Sequence, residues 1–191
     1  MKKIMFNDQY GLTEAVLDGR KTQTRRIAYE KPFKHIRSCG FCTEEKDKGK
    51  LIINDGNEIV AKSTYKIGEV VAIAQRYNDI PFTNEMAGLS IGWSNKMFVK
   101  SDLMPHQIKI TNIRCERLQD ISTDDCMKEG IFCSHIDGFD DAYTYDATFD
   151  RFVKKCWYRT PIKAYKMLSC KLHLHWDSNP LVFVYDFQLI K

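Results

Sequence analysis

A chain of 191 residues, 43% hydrophobic and 28% charged, has the length and balance of one globular domain with a sizeable core, which excludes a fibre or a disordered chain. No apolar run approaches the roughly 18 residues of a membrane helix, and the opening Met1-Lys2-Lys3-Ile4-Met5-Phe6-Asn7 is too poor in apolar residues for a secretory leader, so a cytoplasmic protein without a membrane partner is expected. The net charge of +4 permits a nucleic-acid partner without demanding one, and the seven cysteines read as reduced thiols.

In chain order, residues 3–6 read as a short strand. Residues 10–17 read as a helix, with Leu12, Ala15 and Val16 at helical spacing and Gly19 as its stop. Residues 22–27 alternate and carry β-branched side chains, as an extended segment does. Residues 28–50 are polar and irregular. They lead into a hairpin over 51–61 whose apolar runs flank an Asn54-Asp55-Gly56 turn, and together the two make an insertion over 28–62. Residues 69–75 read as a buried strand and 78–101 as a long excursion. Residues 106–118 read as a long strand in which Ile108, Ile110, Ile113 and Cys115 are interleaved with polar residues.

Ser122 caps a short helix, with Asp125 three residues on as in a capping box, and Gly130 ends it. Residues 145–157 read as a second amphipathic helix with Phe149, Phe152, Val153 and Cys156 on one face. Residues 173–176 (His-Leu-His-Trp) alternate as a strand would, and 181–190 read as a closing strand. Short strands with a few helices between them predict one α+β domain over 1–191. Its sheet is expected to be mainly antiparallel and closed into a small β-barrel with flanking helices and the loop and hairpin insertion. There is no dinucleotide fingerprint and no Walker A loop, and no cofactor is expected.

The chemistry concentrates in Gly19-Arg20-Lys21-Thr22-Gln23-Thr24-Arg25-Arg26, which sets four basic residues and two hydroxyls in eight positions. Arg offers a fixed fork of donors and Lys a point charge, so the cluster can hold an anion. It can also activate a nucleophile. A Thr hydroxyl needs a base, and a Lys whose proton affinity is lowered by burial or by nearby Arg charges can serve. Lys21 and Thr24 converge if the segment curls. The plainer alternative is a basic turn on a solvated surface.

The stretch Ile4-Met5-Phe6-Asn7 and Ala15-Val16-Leu17-Asp18-Gly19-Arg20-Lys21-Thr22-Gln23-Thr24-Arg25-Arg26-Ile27 resembles the opening of the ASCH family, within the PUA-like superfamily of small β-barrels. Similar too are the turn and strand Tyr65-Lys66-Ile67-Gly68-Glu69-Val70-Val71-Ala72-Ile73, the approach Ser101-Asp102-Leu103-Met104-Pro105, and the capped helix Asp124-Asp125-Cys126-Met127-Lys128-Glu129-Gly130-Ile131. The closing run from Trp176 to Phe187 completes a resemblance that spans nearly the whole chain, in the longer form met in bacteriophage and prophage genomes.

The resemblance implies a PUA-like barrel and a partner that is RNA or a modified nucleoside. In a few small members that hydrolyse acylated cytidine, the Lys and second Thr of this motif act as base and nucleophile and a Glu assists. Lys21 and Thr24 match those positions. Order along the chain points to Asp150 for the assisting acid. Where longer members carry an Arg-Glu pair, this chain has Ala74-Gln75, and Gln can hydrogen-bond a base edge but cannot act as an acid or base.

Three functions follow as expectations. The first is recognition of RNA or a nucleoside in a basic cleft, with Arg20, Thr22, Arg25, Arg26, Gln75 and Tyr77 as ligand-binding residues; aromatic rings beside basic residues suit stacking of an unpaired base. The alternative is an amidohydrolase of N-acylated cytidine-type nucleosides using Lys21, Thr24 and Asp150. The second alternative is a zinc-stabilised interaction module built on Cys39-Gly40-Phe41-Cys42, with Cys133 and His135 or His173 and His175 as further ligands. No metal is assigned to the main site.

Overall fold

The computed structural model describes residues 1–29, 42–44, 51–55, 58–134, 142–144 and 158–190. The helix expected over 145–157, Asp150 with it, Cys39 and His135 lie outside the described residues.

The chain opens with β1 (Lys3–Ile4), a 3-10 turn at Asp8–Tyr10 and helix α1 (Leu12–Leu17). Strands β2 (Gln23–Tyr29), β3 (Cys42–Glu44), β4 (Leu51–Asp55), β5 (Glu58–Lys62) and β6 (Val70–Ile73) follow. After an excursion of short 3-10 turns come β7 (Gln107–Arg117), α2 (Thr123–Lys128), β8 (Phe132–Ser134), β9 (Ala142–Thr144), α3 (Pro161–Lys171) and β10 (Leu181–Leu189). The main sheet has the order β1-β6-β7-β10-β2, antiparallel except where β1 lies parallel to β6. The hairpin β4–β5 forms, with Asn54 and Asp55 paired inside β4 and not in the turn, and it joins β3 in a separate sheet.

The expected barrel is corrected to an open, mixed α+β arrangement, because β1 and β2 are edges that do not pair with each other. The reason is local. β1 is only two residues long, its pairing is spent on β6, and the chain turns away after Phe6. Across the gap runs a side-chain bond, from Arg26 Nη2 to the Met5 carbonyl at 2.6 Å.

Strand β6 is buried on both faces. Val71 and Ile73 join the main core, while Ala72 and, just beyond the strand, Ala74 face a second cluster with Tyr77, Met86 and Met104 under the excursion. A strand covered on both sides reads as a continuous apolar run, which is the pattern of residues 69–75.

Helix α3 was not expected from the sequence, although its start is marked there. Thr160 accepts a hydrogen bond from the Lys163 N–H, Pro161 stands in the first turn, and Ala164, Tyr165 and Leu168 are buried on one face. The strand expected over 173–176 is corrected as well. His173 and His175 have φ of 57° and 52°, values no strand adopts, and His173 closes α3 instead. Its N–H donates to the Cys170 carbonyl and that of Leu174 to the Ser169 carbonyl, the paired bonds of a Schellman motif. The capping box at Ser122 forms only in part. Ser122 Oγ accepts from the Asp125 N–H at 3.1 Å, while the Asp125 carboxylate is held by Gln23, Arg25 and Arg114.

Candidate functional site

Helix α1 ends at Gly19, whose φ of +73° suits a residue without a side chain. The chain then folds back. The Lys21 N–H donates to the Ala15 carbonyl at 2.8 Å and the Thr22 N–H to the Lys128 carbonyl at 2.9 Å. The second bond ties the start of β2 to the end of α2. Helix α2 closes in a Schellman motif of its own, with Gly130 N–H on the Met127 carbonyl and Ile131 N–H on the Cys126 carbonyl. Gly130 has φ +101°, and Glu129 occupies the cap position before it.

These two ends bring Lys21 and Glu129 together. Lys21 Nζ donates to Glu129 Oε2 at 2.6 Å and to the Glu129 carbonyl at 2.8 Å. The side chains are 2% and 4% exposed. Burial lowers the proton affinity of Lys21 below the ordinary lysine value; Glu129 opposes this, and the charges of Arg26 and Arg25 add to it.

Lys21, Thr24, Arg26 and Glu129 line one cavity of about 470 Å³, with Phe6 and Leu12 among its apolar walls. That volume falls within the range of small-ligand sites. Thr24 is buried, and among the described residues its hydroxyl has no hydrogen-bond partner. A buried amine of reduced basicity, a carboxylate that stabilises its charged form and the Thr24 side chain thus line one cavity of small-ligand size.

Arg25 lies behind this group. In the register of β2, β10 and β7, Arg25, Val184 and Arg114 form one row, with Gln23, Asp186 and Asn112 two positions along on the same face. Arg25 donates to Glu116, Asp125, Glu129 and Gln23 and has a fully buried side chain. Those carboxylates keep the guanidinium charged against the cost of burial. Arg114 carries the network on to Glu116, Asp125 and Asp186.

The other residues read as ligand contacts divide. Arg26 is exposed at the cavity rim. Arg20 is exposed too, 3.2 Å from Asp18, and neither it nor Thr22 is among the cavity's lining residues. Gln75 lines a separate cavity of about 410 Å³ and shares a 2.6 Å hydrogen bond with His106. Tyr77 is core: its ring packs edge-on against Trp93 and its hydroxyl accepts from the Lys100 N–H. Glu129 was missed by sequence reading, although the cap at Ser122 and the stop at Gly130 place it at the end of a helix that must meet the Lys21 segment.

Among the described residues no three His, Cys, Asp or Glu side chains are grouped to hold a metal, and no helix is long and apolar enough to cross a membrane. No family model, no curated protein and no solved structure matches the chain.

Proposed function

We propose that the cavity binds a nucleoside-sized ligand and that the chain hydrolyses an amide on it, of the kind found in N-acylated cytidines. The observation that carries the reading is the burial of Lys21, bonded to Glu129 at 2.6 Å, in the same cavity as Thr24, whose hydroxyl has no partner among the described residues. The resemblance of residues 19–26 to the ASCH family supports the choice of substrate.

In this mechanism neutral Lys21 takes the proton of Thr24 Oγ1 as the oxygen attacks the amide carbonyl carbon. The C–N bond then breaks, and the Lys21 ammonium gives its proton to the leaving amine. Water attacks the resulting Thr24 ester with Lys21 again as base, which releases the carboxylic acid and restores the hydroxyl. Glu129 holds the ammonium that forms in each half of the cycle. Its placement makes Glu129 the assisting acid in this reading, in the role that chain order had suggested for Asp150.

The test is hydrolysis of a panel of N-acylated cytidines by the wild type and by Thr24→Val, Thr24→Ser and Lys21→Ala. Thr24→Val removes the hydroxyl at nearly constant volume and is expected to abolish turnover. Thr24→Ser is expected to retain part of it. Turnover that survives Thr24→Val overturns the mechanism. Absence of turnover on every substrate leaves a binding site, with Arg20 and Arg26 as the exposed cations nearest to it that could meet phosphate.

A further inference from the structure

All five N–H donors of Arg25 are engaged inside the protein. Nε and Nη2 donate to Glu116 Oε1 at 3.0 and 2.6 Å, and Nη2 also to Asp125 Oδ2 at 3.2 Å. Nη1 donates to Gln23 Oε1 at 2.5 Å and to Glu129 Oε1 at 3.0 Å. The side chain is 0% exposed, so it has no donor left for a ligand even though it forms part of the cavity wall.

Its link to the chemistry runs through one carboxylate. Arg25 holds Glu129 Oε1 while Lys21 takes Oε2. A carboxylate free to turn would offer both oxygens to the ammonium beside it, whereas one clamped by a guanidinium fork offers a fixed oxygen in a fixed direction. The clamp is itself held from behind. Arg114 donates to Glu116 Oε2 at 3.1 Å and to Asp125 Oδ2 at 2.6 Å, so each of those carboxylates bridges two guanidiniums.

We propose that Arg25 is a positioning residue that fixes the Glu129 carboxylate so that a single oxygen serves Lys21. The proposal rests on the reading of Lys21 as the base for Thr24. Around Lys21 the charged groups are Glu129 from the end of α2, Arg25 and Arg26 from β2, and Asp8 and Lys96, which line the same cavity and pair with each other at 2.6 Å. Among these Arg25 alone governs how Glu129 is shared. With Arg25 replaced, Glu129 belongs to Lys21 alone and holds its proton more tightly, so less of the neutral amine is present near pH 7.

The experiment is an NMR titration of the Lys21 13Cε and 15Nζ signals in the whole chain, for wild type, Arg25→Gln and Arg25→Lys. It needs no substrate, so it reads positioning even if no hydrolysis is found. In Arg25→Gln the midpoint is expected to rise by about one unit, a tenfold fall in neutral Lys21 below both midpoints. In Arg25→Lys, which keeps the charge but loses the fork, it is expected to rise by about half as much. A residue serving structure alone would lower the unfolding temperature and leave the midpoint in place. A midpoint in Arg25→Gln within about 0.2 unit of wild type overturns the proposal, and if that variant does not fold, the same result in Arg25→Lys overturns it. Where an acylated cytidine is turned over, Arg25→Lys is expected to lower kcat near neutral pH with KM within about twofold. A rise in KM with kcat kept would make Arg25 a ligand contact and overturn the proposal alone.

Discussion

Lys21 Nζ and Glu129 Oε2 stand 2.6 Å apart across 108 positions of sequence, both buried. Burial lowers the proton affinity of Lys21, and Glu129 works against that. The pair therefore sets the pH at which Lys21 is neutral, and in the proposed mechanism only the neutral amine can activate Thr24.

Replacing Glu129 by Gln removes the group that raises the proton affinity of Lys21. The fall already caused by burial and by Arg26 and Arg25 then goes unopposed. A base is active above its midpoint, so the acid limb of log kcat/KM against pH is expected to move to lower pH. The plateau rate should drop by about ten- to a hundredfold, because the ammonium formed during attack loses its partner. An acid limb that stays in place or moves to higher pH counts against Lys21 as the base. The direction is opposite to that expected for Arg25→Gln, so the two variants check each other.

Asp125 ties α2 to the sheet. Burial pushes its carboxyl up, but the Gln23 hydrogen bond and the charges of Arg114, Arg25 and Lys128 outweigh this and hold it below the ordinary aspartate range. A group depressed in the folded state contributes stability that is complete above the unfolded value near 3.9, and that contribution disappears as pH falls through the folded value. Asp125→Asn is therefore expected to have a lower urea midpoint than wild type at pH 7, with the gap closing as the pH is taken below about 4. A gap that stays constant would mean that Asp125 acts through shape and not through charge.

Tyr165 Oη is closed off from solvent and, among the described residues, has no hydrogen-bond partner. Its ring does the packing, edge-on to Trp176 and under the Arg25 guanidinium at 5.8 Å, and burial raises the hydroxyl far enough to keep it neutral. An unsatisfied buried hydroxyl costs about 1–3 kcal/mol. Tyr165→Phe keeps the ring and removes that cost, so it is expected to be neutral or to stabilise by about 1 kcal/mol. Urea unfolding decides it, and a loss of more than about 1 kcal/mol would show that the hydroxyl is engaged.

What could be read from the sequence was local. Lys21, Thr24 and Arg26 share one short segment, the long strand β7 shows its alternation, and Ser122 and Gly130 mark the two ends of α2 as expected. The sheet did not close because closure depends on whether two edges meet, and a two-residue β1 leaves nothing for β2 to pair with. Glu129 was missed because its partner is remote in sequence and nothing nearby calls for a carboxylate. Arg25 was read as a ligand group because a cation in a basic run looks solvated. Its burial depends on Glu116 and Asp125, brought beside it by β7 and α2.

The two Schellman motifs differ in one residue type. Helix α2 places Gly130 at the left-handed position, whereas α3 places His173 there, with φ 57°. A residue with a Cβ pays about 1–2 kcal/mol for that conformation, and glycine's greater freedom in the unfolded chain returns part of the difference. His173→Gly is therefore expected to stabilise the protein by about 0.5–1 kcal/mol, a rise of about 1–4 °C in Tm for a chain of this size. His173→Val is expected to destabilise it, since a β-branched side chain fits that region worst. His173 is not among the residues that line the Lys21 cavity, although its neighbours Leu172 and Leu174 are. If His173→Gly lowers Tm, the imidazole makes a contact worth more than the backbone strain it imposes, and the turn after α3 is held by its side chain as well as by its two backbone bonds.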